Sequence, residues 1–130
     1  MNPRAFYFII ILLSFALTSC MKDKAELLSG TWERVNVENI NDPYTHEWVF
    51  DNGELIIQRR LKSQPTLSTV SDRGFYLLET NPLKTTLQIM ETSNEIMNES
   101  WDVIKLDNEQ LIIKLDIVGG VLYREFVKIF

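Results

Sequence analysis

The sequence predicts an all-β domain, an eight-stranded antiparallel up-and-down β-barrel preceded by a short helical turn. Three observations carry this reading. Turn signals recur about every ten residues from Asn41 onward, the spacing of short strands joined directly to one another. The segments between them are rich in β-branched, aromatic and leucine residues, which suit a pleated, half-buried surface. Several segments also alternate apolar and polar side chains with period two, the pattern of a strand with one buried and one wet face. Closing such a meander on itself removes its two exposed edges, and about eight strands leave an interior that side chains fill or that holds one small ligand.

In chain order, Ala25-Glu26-Leu27-Leu28-Ser29 suits a helical turn covering one end of the barrel. Between Trp32 and Glu38 the apolar phase slips, from even at Trp32 to odd at Val35 and Val37, which a bulge would reconcile. Asn41-Asp42-Pro43 then breaks the chain. Tyr44, His46, Trp48 and Phe50 share a face opposite Thr45, Glu47 and Val49. Asn52-Gly53 supplies the two positive φ angles of a type I′ hairpin, and Gly119-Gly120 can do the same. If Leu55 and Ile57 face the lumen, so does Arg59. The polar stretch from Ser63 to Arg73 reads as a connection, followed by a strand at Gly74-Phe75-Tyr76-Leu77. After Asn81-Pro82, Leu83, Thr85, Leu87 and Ile89 share one face. Thr92-Ser93-Asn94 separates them from a strand around Trp101, and Asp107 to Gln110 turns the chain again. Leu111, Ile113, Leu115 and Ile117 line a further face. Val121 to Phe130 is apolar on both faces, so alternation leaves its register open.

The first twenty residues carry a different message. Arg4 and the terminal amine precede an uncharged apolar run from Ala5 to Ala16, and small residues close the segment before Cys20. A basic start, a short hydrophobic stretch and a small-residue boundary describe a secretory signal peptide. The uncharged run from Ala5 to Met21 reaches only the minimum of a membrane span, roughly 17 residues. Leu17-Thr18-Ser19-Cys20 resembles the lipobox of bacterial lipoproteins, which implies lipidation of Cys20 and cleavage before it. The expected organisation is therefore a signal peptide over 1–19, a lipidated cysteine and tether over 20–26, and a barrel domain over 27–130. The tether then spans at most about 20 Å. Cys20 is the one cysteine in the chain, so an internal disulfide is excluded. Two or more acyl chains hold a protein stably on a bilayer. Met21, rather than Asp, after the cysteine points by family resemblance to the outer membrane of a Gram-negative envelope, and the leaflet stays open.

Gly30-Thr31-Trp32, preceded by Leu27-Leu28, looks like the Gly-x-Trp motif that opens the lipocalin fold. Trp48-Val49-Phe50 with Asp51 to Leu55, Gly74 to Leu77, Leu83 to Ile89, and Leu106 to Ile113 resemble the succeeding strands of small lipocalin-like domains of bacterial lipoproteins. The resemblance implies a Trp32 that packs across the closed barrel end. Larger lipocalins cover that tryptophan with an arginine, for which Arg124 is the possible counterpart. They also carry a Thr-Asp-Tyr-like turn and a terminal helix, which this sequence replaces with Asp107-Asn108-Glu109-Gln110 and a final strand.

Composition and motifs exclude several classes of function. The net charge of −5 becomes −6 over 111 residues once 1–19 are removed, which argues against nucleic acid or an anionic membrane surface as partner. His46 is the one histidine and Cys20 is destined for lipid, so a zinc site of ordinary composition cannot be assembled. No Gly-x-Ser-x-Gly elbow, phosphate loop or dinucleotide fingerprint is present, and the carboxylates show no spacing that marks an acid–base pair. Neither an enzyme nor a cofactor is expected. The candidate ligand pocket comprises Trp48, Phe50, Arg59, Phe75, Leu87 and Ile89, read either as pocket wall or as core. Arg59 at the mouth either pairs with a ligand carboxylate or phosphate or lays its stem over apolar surface. Trp101, if exposed, would suit a protein contact. Two functions follow: a lipid-anchored envelope protein that binds a small hydrophobic or amphipathic ligand, or an interaction module whose filled barrel serves as a scaffold for an envelope protein.

Overall fold

The structure, a computed structural model, describes residues 23–35 and 41–130. The expected signal peptide and lipidated cysteine lie outside the described residues, as do 36–40. Eight antiparallel strands form a closed barrel in sequential order. They are β1 (Gly30–Arg34), β2 (Tyr44–Asp51), β3 (Glu54–Leu61), β4 (Ser68–Thr80), β5 (Thr85–Met90), β6 (Ser100–Leu106), β7 (Gln110–Ile117) and β8 (Gly120–Lys128). A helix over 23–28 precedes β1.

Turn chemistry sets the register. Asn52 (φ 47°) and Gly53 (φ 86°) give the two positive φ angles of a type I′ turn and bring Asp51 opposite Glu54. The β7–β8 hairpin differs from expectation. Its two-residue loop is Val118-Gly119, and Gly119 alone has positive φ, so the turn is not type I′. No register shift interrupts the described part of β1, which ends at Arg34. Irregularities fall instead in the β3–β4 and β6–β7 pairs, where Ser71 and Ile104 stand without an opposed partner. Each extra residue flips the inward phase, so Trp101 and Val103 face the core with odd numbers and Leu106 with an even one.

Two boundaries depart from the sequence reading. The polar stretch to Arg73 is strand from Ser68 onward, because β4 runs 13 residues and its first half is exposed on both faces, leaving no apolar period to detect. Leu83 lies in the turn before β5 and is exposed, since Asn81 accepts hydrogen bonds from the Leu83 and Lys84 amides and ends the extended chain there.

The interior is packed with Leu28, Trp32, Trp48, Phe50, Leu55, Leu87, Ile89, Trp101, Leu111, Ile113, Leu115 and Phe126. These residues and the β1–β8 seam all lie within 28–128, so the chain from Met21 onward carries the whole described core and the closed barrel. The loops between β3 and β4, β5 and β6, and β7 and β8 lie at the open end, and the helix covers the other.

Candidate functional site

The closed end is locked around the Gly-x-Trp residues. Trp32 is fully buried, and its indole nitrogen donates to the Leu28 carbonyl at 2.8 Å. Gly30 has φ 128°, and a Cβ there would stand 2.4 Å from the Phe130 carbonyl oxygen, so glycine is required by both dihedral and space. The cation over the Trp32 ring is Lys128, 5.1 Å from the centroid, whose ammonium also donates to the Leu27 carbonyl at 2.8 Å. Burial pushes the Lys128 pKa down. Arg124, the expected counterpart, lies four residues nearer the open end of β8. Sequence missed Lys128 because the register of β8 was open; Phe126 is the buried aromatic that fixes it.

Four of the six pocket candidates belong to the packed interior. Trp48, Phe50, Leu87 and Ile89 are buried, and the Phe50 ring meets Tyr76 edge-on at 5.0 Å between centroids. Phe75 is misplaced by the sequence reading. It pairs with Glu54 on the outer face and is 50% exposed, whereas Gly74 and Tyr76 take the inward positions on either side of it. Trp101 is fully buried with its indole nitrogen donating to the Met97 carbonyl, which removes it as an exposed protein contact.

Arg59 does take the inward phase. It stands opposite His46, one inward position from the Trp48–Ile57 pair. Its guanidinium lies over the Tyr44 ring at 4.6 Å. Arg34, which sequence did not single out, is opposite the buried Phe126 and therefore shares the inward face. Continuing the β1–β2 register one position beyond Glu33↔Glu47 sets Arg34 beside His46. Thus Arg34, His46 and Arg59 form one row across three adjacent strands. The row descends from exposed Arg59 through half-buried His46 to Arg34, and beyond it lies Phe126. The Phe126 ring packs against Trp48 with centroids 4.8 Å apart, giving the row an aromatic floor.

Two of the carboxylates at this end, Asp42 and Asp72, are engaged. Asp42 accepts from His46 Nε2 at 2.7 Å and from the Tyr44 amide at 2.9 Å, and these bonds hold its pKa below the ordinary carboxylate value. Asp72, on β4 opposite Ile57, is partly desolvated, but the bonds it accepts from the Ser93 hydroxyl and amide outweigh this and lower its pKa. Those bonds dock loop 91–99 on upper β4. Thr92 in that loop is buried, and Met97 packs against the core.

Among the described residues, no group of three histidine, cysteine, aspartate or glutamate side chains is placed to hold a metal ion. His46 is committed to Asp42, with no serine or cysteine among its described partners. Glu47, on the outer face, is a structural acid. It is 1% exposed and accepts from Gln58 Nε2 and Arg60 Nε, each at 2.7 Å.

No protein-family model matches the chain, and no curated protein matches it in sequence. Among solved structures, the chain is similar to apocrustacyanin C2 at 13% identity and a TM-score of 0.33, over 78% of this chain and 59% of that one. The chain thus spans less than two thirds of that protein, and the barrel architecture rests on the strand pairing itself.

Proposed function

We propose that the mature chain is a lipid-anchored envelope protein that takes up a small amphipathic molecule through the open end of its barrel. The observation that carries this reading is the change of character along the inner face. Near the helix the interior is filled by apolar side chains, whereas towards the opening it bears Arg34, His46 and Arg59 above the Trp48–Phe126 floor. A molecule with an apolar body and a polar end fits such a graded surface, the body against Trp48, Phe126 and Leu122 and the polar end at the rim. Burial of Trp48, Phe50, Leu87 and Ile89 restricts this site to the upper barrel.

Native mass spectrometry of the chain from Met21 onward, purified from bacteria and compared with its denatured mass, tests the proposal. The expected result is a reproducible adduct that is lost on denaturation. A bare mass, with no uptake from a bacterial lipid extract, would overturn it. That outcome would favour the second reading, a filled scaffold that docks an envelope protein. Its supporting observation is the ring of exposed aliphatic side chains on the open-end loops, Leu67, Ile96 and Val118.

A further inference from the structure

We propose, resting on the amphipathic-ligand reading above, that Arg34, His46 and Arg59 form an anion subsite and that the ligand is a single-chain amphiphile with a carboxylate or phosphate head. Three independent features converge on this chemistry.

The first is register. Arg34 and Arg59 lie on β1 and β3, two strands apart, so their backbones are about 10 Å from each other with His46 between them. Two long guanidinium side chains on one inward face at that separation can converge on one compact anion, and each offers a planar fork matched to carboxylate and phosphate oxygens.

The second is the state of the charges. Among the described residues neither Arg34 nor Arg59 pairs with a carboxylate, and the one described contact of the Arg59 guanidinium is with the face of Tyr44. Arg60, the next residue along, shows the contrast: it points to the outer face and is fully committed to Glu47 and the Pro65 carbonyl. Asp42, the acid nearest the row, is held by His46 and the Tyr44 amide. Its bond orients the imidazole and leaves both guanidinium groups available.

The third is asymmetry around the opening. Loop 91–99 joins β5 to β6, opposite β2 in the strand order, and carries Glu91, Glu95 and Glu99. An anion entering the mouth is repelled from the side of loop 91–99 and drawn to the β1–β3 wall, where the three basic side chains stand. Once it is seated there, the attached chain has the Trp48–Phe126 floor directly beneath it.

The test is titration of the chain from Met21 onward with hexadecanoate, hexadecyl phosphate and hexadecanol, three probes that share one tail. Both anions are expected to bind at least about tenfold more tightly than the alcohol, the worth of one or two charge-assisted hydrogen bonds. The tighter of the two anions identifies the head group. In Arg34→Gln/Arg59→Gln the preference falls to about twofold or less while the alcohol binds as before. Arg59→Gln alone, at an exposed position, gives an intermediate loss and guards against misfolding of the double variant. Equal binding of anions and alcohol overturns the anion subsite and leaves the amphipathic reading standing. An anion preference that survives both substitutions overturns the assignment to these residues. Binding of none of the three probes overturns both proposals.

Discussion

Glu47 shows how one side chain can be costly and stabilising at once. It sits on the outer face of β2, yet Arg60, Gln58 and the segment around Pro65 close over it, so its carboxylate is withdrawn from water. Burial alone would raise its pKa. The hydrogen bonds from Arg60 and Gln58 outweigh burial, and the pKa falls below the ordinary value of 4.5. A carboxyl with a depressed folded-state pKa binds fewer protons when folded than when unfolded. Its stabilisation is therefore fully present above the unfolded pKa and is lost as pH falls through the folded one. Glu47→Gln should cost about 1–3 kcal/mol at neutral pH, since Arg60 is left near a group that no longer answers its charge. In urea titrations from neutral pH into acid, the gap between wild type and variant should narrow steadily below about pH 4.5. A gap independent of pH would mean that shape rather than charge holds this site.

At the scale of the elements, what was legible in the sequence follows from how each strand meets water. Strands β2, β5 and β7 have one wet and one dry face, so Trp48 and Phe50, Leu87 and Ile89, and Leu111 and Ile113 could be placed by alternation, and all are buried. The Asn52-Gly53 hairpin was legible for a local reason, because few other pairs accept two positive φ angles. The upper half of β4 was not legible, since its serine, threonine and charged residues are exposed on both faces. Bulges in the β3–β4 and β6–β7 pairs hid the phase of Phe75 and Trp101. Two members of the basic row were legible, His46 from Trp48 and Phe50 and Arg59 from Leu55 and Ile57, but bringing Arg34 to them needs the pairing of three strands. Loop 91–99 was the largest omission, and Gly74 explains its position. A Cβ at Gly74 would stand 2.5 Å from the Met90 carbonyl oxygen and 2.6 Å from Thr92 Cγ2, so the loop enters over a gap in the β4 side-chain row. Gly74→Ala should destabilise the barrel by about 1–3 kcal/mol through overpacking. Hydrogen exchange should also quicken at the Thr92 and Ser93 amides, which donate to Asn98 and Asp72. Unchanged protection at these two amides would show that the loop is seated without help from Gly74.

At the scale of the whole molecule, the helix decides how the proposed anchor presents the barrel. The helix begins at residue 23, so it takes up part of the stretch expected to serve as a flexible tether. It is fastened to the closed end through buried Leu28, through Lys24, which donates to Thr85 at 2.7 Å, and through the Leu27 carbonyl, which accepts from Lys128. Only two residues separate position 20 from the helix, a span of about 10 Å at most. An acylated Cys20 would then hold the closed end against the bilayer and turn the open end, with its arginine row, away from it. Ligand would have to arrive from the aqueous side or from a partner rather than by direct transfer out of the anchoring leaflet. Fluorescence energy transfer to an acceptor lipid measures this orientation on the full lipoprotein. Asn108 lies in the β6–β7 turn at the closed end and Val118 at the tip of the β7–β8 hairpin at the other, and both are exposed. Cys20 is the chain's one cysteine and its sulfur would be consumed by the lipid, so a dye on Asn108→Cys or Val118→Cys occupies a single thiol. Transfer from position 108 should clearly exceed transfer from 118, because β7 is eight residues long and separates them by about 20–25 Å after allowing for strand tilt. Equal transfer would mean a barrel lying on its side, and the reverse order would bring the arginine row to the membrane.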